Sequence, residues 1–169
     1  MKHVCFTLLL AMTACGAAAP PRDDRTFSAQ GRALDGDTLA VDFRLKGVDA
    51  FERKQLCQRA DGCWQCGKAA QDKAATALRK KTATIHLTTS TTYGRPVATV
   101  AVDGQDLGLL MIEAGLAIPE TRYLRDDPER AARYESAFDR AKAAGAGALS
   151  GTWLKPADWR HGARLTCER

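Results

Sequence analysis

The stretch Thr38-Leu39-Ala40-Val41-Asp42-Phe43-Arg44-Leu45-Lys46-Gly47-Val48, with residues 27–34 and the turn Asp35-Gly36 before it, decides the fold. Partial alternation of apolar and polar residues over short spans, with Asp-Gly as turn chemistry, predicts a meander of three strands at 27–34, 38–41 and 43–48. Residues 67–81 repeat small apolar positions at helical spacing through Ala70, Ala74, Ala77 and Leu78, and the β-branched run 82–92 then predicts a fourth strand. Alternation over 97–102 followed by Asp103-Gly104 gives a fifth. A short helix over 107–114 stops at Gly115, and Asp127-Pro128 caps and starts a last helix that Gly145 and Gly147 end. Five short strands with one helix inserted after the third and about three helices in all make an α+β domain on a small barrel of the oligonucleotide-binding type.

The whole chain of 169 residues is 45% hydrophobic and 27% charged, the balance of one globular domain. A net charge of +5 suits a polyanionic partner, and no apolar run approaches the ~20 residues that a membrane-spanning helix needs. Residues 1–19 have a positive start at Lys2, an apolar stretch and a small-residue segment, the layout of an export signal. Leu10-Ala11-Met12-Thr13-Ala14-Cys15 resembles a bacterial lipoprotein box, so two exits are expected: lipid attached to Cys15 and a membrane-anchored product, or removal of Cys15 with the leader. A tether at 20–25, a domain at 26–160 and a tail at 161–169 complete the expected organisation.

Four cysteines remain after the leader, Cys57, Cys63, Cys66 and Cys167, an even number that favours disulfides in an exported protein. Of three pairings, Cys57 with Cys66 and Cys63 with Cys167 is preferred, the second pinning the tail. A four-cysteine zinc site is the alternative, although no second close pair accompanies Cys63-Trp64-Gln65-Cys66. Trp153 and Trp159 read as packing for the tail, and Arg79-Lys80-Lys81 as a helix end.

The densest polar cluster is Asp35-Gly36-Asp37-Thr38 followed by Arg44 through Glu52. If Asp37 and Asp49 face each other across antiparallel strands, their repulsion calls for a cation between them, and oxygen-only ligation suits Ca²⁺ or Mg²⁺ over zinc. Glu52 lies on the loop beyond, where a carboxylate can take a proton from water. Arg44 and Arg95 offer planar donors to phosphate, and equally suit ordinary ion pairs with Asp37, Asp49 or surface acids.

Four successive segments carry a resemblance: Asp35-Gly36-Asp37-Thr38, Arg44-Leu45-Lys46-Gly47-Val48-Asp49-Ala50-Phe51-Glu52, Tyr93-Gly94-Arg95 and Glu113-Ala114-Gly115-Leu116-Ala117. In order and spacing they resemble the staphylococcal nuclease (thermonuclease) family over 28–159. The resemblance implies a Ca²⁺-dependent phosphodiesterase on a five-stranded barrel that cuts DNA and RNA to leave 3′-phosphate ends. It implies Asp37, Asp49 and the backbone carbonyl of Ala50 as calcium ligands, Glu52 as general base, and Arg44 and Arg95 as the phosphate clamp. Tyr93 and Tyr123 become nucleotide contacts at the rim, where stacking is indifferent to sequence. No partner subunit is needed, so a monomer is expected.

Three departures from the family pattern stand out. Only residues 39–43 separate Thr38 from Arg44, Phe51 replaces a common Pro, and an insertion over 54–66 adds a cysteine-braced rim. Two other function classes compete with the nuclease: a nucleic-acid-binding barrel without catalysis, and an envelope interaction module. Retention of Asp37, Asp49, Glu52 and both arginines favours the nuclease.

Overall fold

Asp35 folds the first turn as its residue type dictates: its carboxylate accepts the backbone N–H of Thr38 at 2.7 Å and of Asp37 at 3.2 Å. The Thr38 side chain foremost, then that of Asp37 and these backbone bonds, hold the Asp35 carboxyl below the ordinary aspartate range. The turn joins β1 (Gly31–Ala33) to β2 (Leu39–Val41), paired antiparallel, in a computed structural model that describes residues 27–168. The leader, Cys15 and the tether at 20–25 lie outside the described residues.

The expected meander does not continue into a third strand. A two-residue hairpin turn needs positive φ, and among the described residues neither Asp42 nor Phe43 adopts it. The chain passes on, and β3 (Arg44–Leu45) runs parallel to β8 (Arg95–Val102), with Arg44 beside Val97 and Leu45 beside Ala98. Tight turns do form where the sequence supplies the conformation. Tyr93-Gly94 (φ 48° and 73°) joins β7 (Ala83–Thr92) to β8, and Asp103-Gly104 (φ 50° and 77°) joins β8 to β9 (Gln105–Asp106).

Gly47 breaks the expected strand at 43–48. Its φ is +70°, and a Cβ there would meet Leu124 side-chain carbons at 2.5 Å, so the chain bends tightly against Leu124. Beyond the bend, β4 (Val48–Ala50) pairs antiparallel with β10 (Ala117–Pro119), which sets Asp49 opposite Ile118 and not opposite Asp37. The insertion is a hairpin, β5 (Cys57–Arg59) and β6 (Gly62–Trp64), joined to the tail segment by two backbone hydrogen bonds between Gln58 and Thr152. The described strands thus form one four-stranded and three two-stranded groups, and hydrogen bonding does not close them into a single five-stranded barrel.

Among the described residues, four α-helices complete the α+β architecture: α1 (Cys66–Leu78), α2 (Leu107–Glu113), α3 (Pro128–Ala143) and α4 (Pro156–Arg160). Asp106 caps α2 by accepting from Gly108 and Leu109, and also takes the Arg130 guanidinium and the Tyr134 hydroxyl, locking α3 onto α2. Burial pushes the Tyr134 phenol above its ordinary range. Val48, Phe51, Val102, Leu107, Met111, Ile112 and Leu124 fill the core between β4, β8 and these helices, so β4 is pinned by packing as well as by β10. None of the described helices is long and apolar enough to cross a membrane.

The structure joins Cys57 to Cys66 and Cys63 to Cys167, the preferred pairing. No zinc site remains for these four thiols, since each is in a disulfide.

Candidate active site

Asp49 lies at the centre of β4 and is only 1% exposed. A carboxylate that deep needs partners. Arg44, five residues earlier, donates through Nη2 to Asp49 Oδ1 at 2.6 Å and to the Val48 carbonyl at 3.2 Å. The other partner comes from the far end of the chain. Arg160, last residue of α4, donates through Nη1 to Asp49 Oδ1 and through Nη2 to Oδ2, both at 3.0 Å, a two-pronged pair. The same Nη1 reaches Glu52 Oε1 at 2.7 Å. The hydrogen bond to Asp49, and after it that to Glu52, raises Arg160 further above the ordinary guanidinium range in spite of its partial burial.

Glu52 is placed by a loop that Gln55 organises. The Gln55 side chain, fully buried, accepts the Glu52 N–H through Oε1 at 3.1 Å and donates to the Leu154 carbonyl at 2.8 Å. The Glu52 carbonyl accepts from Gln55 N at 2.7 Å. Gly67, in the first turn of α1, packs so closely that any Cβ there would overlap the Glu52 carbonyl oxygen. Gln55 therefore couples the Glu52 loop to the segment that leads into α4.

That segment is fastened further along. Trp159 donates to Glu168 at 3.1 Å, Arg164 stacks 4.1 Å over the Trp159 ring, and Cys167 is bonded to Cys63. Trp153 meets Phe51 and Phe138 edge to face, so it packs, as its sequence context predicts.

The structure thus brings Arg44, Asp49 and Glu52 together and adds Arg160 and Gln55. Neither addition carries a local sequence signal: Arg160 is one of several basic residues at the end of the domain, and Gln55 an amide in a polar loop. The alternative expectation of an ion pair holds for Arg44. Arg95 opens β8 beside the Tyr93-Gly94 turn, with no carboxylate paired to it among the described residues. Tyr93 is 91% exposed; Tyr123, on a single 3-10 turn at Thr121–Tyr123, is also exposed and has Arg122 over its ring at 4.8 Å. Asp37 stands in the exposed β1–β2 turn, bonded to Thr38. Ala50 ends β4, opposite Ala117. Directly after Glu52, Arg53 and Lys54 join Leu56, Gln65, Lys68 and Gln71 around an open cavity of about 340 Å³.

The donor chemistry fits a hard cation, since Asp49 and Glu52 offer carboxylate oxygens that already converge on one positive nitrogen, Arg160 Nη1. Among the described residues no cluster of three or more His, Cys, Asp or Glu side chains is assembled around that point.

The α+β scaffold thus gathers two carboxylates, Asp49 and Glu52, and two arginines, Arg44 and Arg160, around β4. A sequence model of the staphylococcal nuclease homologue family matches residues 42–150, more than half the chain, and the protein belongs to that family. The match takes in Arg44, Asp49, Ala50, Glu52, Tyr93, Arg95 and Tyr123; it begins after Asp37 and ends before Arg160. No curated protein matches the chain.

Proposed function

We propose that this chain is an exported, calcium-dependent nuclease that hydrolyses DNA and RNA with little sequence preference and leaves 3′-phosphate ends. The observation that carries the reading is the meeting of Arg44, Asp49 and Glu52 in one cluster inside the matched family region. Two disulfides accord with an oxidising compartment, whether the product is free or held by lipid on Cys15. The reading takes the protein as a monomer and treats the strand groups as an opened form of the family's five-stranded barrel.

Calcium, held by Asp49, the Ala50 carbonyl and Asp37, would supply positive charge to the phosphate oxygens. The remaining work falls to the chain. Glu52 takes a proton from water, and the water oxygen forms a bond to phosphorus as the bond to the 5′-oxygen breaks. That oxygen leaves with a proton from solvent, and the phosphate stays on the 3′ side. Arg44 and Arg95 bind the non-bridging oxygens, whose charge grows in the transition state, and Arg95 also steadies the leaving oxygen. Tyr93 and Tyr123 supply exposed rings for bases, and Arg53, Lys54 and Lys68 supply a basic surface for neighbouring phosphates.

A second reading, a nucleic-acid-binding domain without cleavage, draws on Asp37 standing in an exposed turn while Arg160 occupies both carboxylates. One assay separates the two. The full chain, processed in an oxidising compartment, is incubated with single-stranded DNA and Ca²⁺ or excess chelator, alongside Glu52→Gln and Arg95→Ala. The nuclease reading expects cleavage that requires Ca²⁺, leaves 3′-phosphate ends and is lost in both variants. Binding without cleavage under every condition establishes the second reading instead.

A further inference from the structure

We infer that Arg160 is a positioning residue that fills the cation position of this site, so that its pairing with Asp49 and Glu52 and the binding of a divalent cation there exclude one another. The inference rests on the proposed function only in taking Asp49 and Glu52 as the working carboxylates. Arg160 lies beyond the matched family region, so family membership does not supply the residue.

The geometry is that of a counter-ion. One nitrogen, Nη1, bonds carboxylate oxygens from two residues, Asp49 Oδ1 at 3.0 Å and Glu52 Oε1 at 2.7 Å, and Nη2 takes the remaining oxygen of Asp49 at 3.0 Å. With Arg44 also on Oδ1 at 2.6 Å, both oxygens of the buried carboxylate already face positive nitrogen. A cation that enters must replace Arg160, because a guanidinium and a divalent ion cannot share the same lone pairs at contact distance without strong repulsion.

The surroundings support holding and release alike. Arg160 ends a helix of five residues started by Pro156, and its side chain is 39% exposed, so it can turn outward without unpacking the core. The elements on either side hold still: Gln55 ties Leu154 to the Glu52 loop, and Cys167 is bonded to Cys63. The long side chain is the part free to move. While paired, it holds the two neighbouring carboxylates in place without metal. When it occupies the site, it weakens apparent metal affinity in proportion to the fraction of molecules it blocks.

The test titrates Ca²⁺ alone into the metal-stripped full chain by calorimetry, comparing wild type with Arg160→Gln, Arg160→Lys and Arg164→Gln. Removing the guanidinium should tighten Ca²⁺ at least about tenfold in Arg160→Gln, the gain expected if Arg160 blocks the site nine times in ten. Arg160→Lys retains a positive head but cannot make the two-pronged pair, so its gain should fall between wild type and Arg160→Gln. Arg164→Gln loosens the same tail without touching either carboxylate and should match wild type. Partial unfolding would lower affinity, so a gain is not a folding artefact. Unchanged or weaker binding by Arg160→Gln overturns the inference, as does an equal gain in Arg160→Lys or Arg164→Gln. Wild-type cleavage of DNA with calcium but no gain in Arg160→Gln would overturn this inference and leave the nuclease standing. The gain without cleavage by any variant would do the reverse.

Discussion

Asp49 and Arg160, 111 residues apart, meet through two parallel hydrogen bonds of 3.0 Å. The carboxylate side chain is almost fully buried, while the Arg160 side chain as a whole is 39% exposed. That asymmetry sets the consequences of cutting the pair. Asp49→Ala removes a buried anion and leaves Arg44 and Arg160 without their partner, but both arginines retain solvent. The loss in stability should be about 2 kcal/mol, below the 3–5 typical of a fully buried pair. Urea unfolding should show a lower midpoint at unchanged slope. Asp49→Ala combined with Arg160→Ala should cost less than the sum of the single changes, since the second has little left to break. Full additivity would mean that the pair contributes nothing.

Gln55→Leu tests the loop independently of the charges. Leucine nearly matches the volume but leaves the Glu52 N–H and the Leu154 carbonyl, both partly buried, without their side-chain partner. A cost of about 2–3 kcal/mol is expected. Cleavage should fall with it even at temperatures where the protein remains folded, because Glu52 loses its backbone anchor. Full activity in a folded Gln55→Leu would show that Glu52 is placed without the Gln55 side chain.

The limits of the sequence follow the same division between local and distant causes. The helices over 107–113 and 128–143 were legible because Gly115 and Asp127-Pro128 act within a few residues of themselves, whereas the Asp106 cap emerged only in the structure. β7 and β8 were legible as strands from β-branching and alternation, but the Tyr93-Gly94 turn that pairs them emerged only in the structure. The three-stranded meander was not, because Asp42-Phe43 lacks positive φ and the partner of β3 lies about fifty residues further on, in β8. β10 was missed as a strand: Ala117-Ile118-Pro119 has too little pattern, and only pairing with β4 defines it. At the site, the family motifs pointed to Arg44, Asp49 and Glu52, which do come together. Arg160 and Gln55 stayed invisible because their meaning comes from tertiary contact alone.

The disulfides should separate on reduction. Cys57 and Cys66 are fully buried, whereas Cys167 is exposed near the end of the tail. Mild reductant followed by alkylation and mass spectrometry should therefore label Cys63 and Cys167 first. Their bond spans a sequence separation of 104, against 9 for the other. The loop-entropy argument assigns it the larger stabilisation, about 4–5 kcal/mol against about 3 or less. Cys63→Ser with Cys167→Ser should lower the melting temperature more than reduction alone of a folded sample suggests at room temperature. Labelling of Cys57 and Cys66 first would mean that the β5–β6 hairpin opens before the tail.

Asp127 gives the clearest pH dependence. As the cap of α3 it accepts the Arg130 N–H at 3.0 Å and the Arg130 guanidinium at 2.9 Å. The Arg130 side-chain bond, followed by the backbone bond, holds the carboxyl below the ordinary aspartate range. A depressed pKa favours the folded state only when the group is ionised. The stabilisation is thus complete above the unfolded value of about 3.9 and disappears as pH falls through the lower folded value. Asp127→Ala loses the cap altogether and should cost about 1–2 kcal/mol at pH 7. Asp127→Asn keeps a capping oxygen without the charge, so its deficit against wild type should be smaller, flat from neutrality down to about pH 5, and shrinking towards zero below about pH 4. Denaturant titrations of wild type and Asp127→Asn across that range measure the difference directly. A deficit that persists unchanged at the lowest pH where the protein still folds would show that charge plays no part, and that the cap acts through its neutral hydrogen bond.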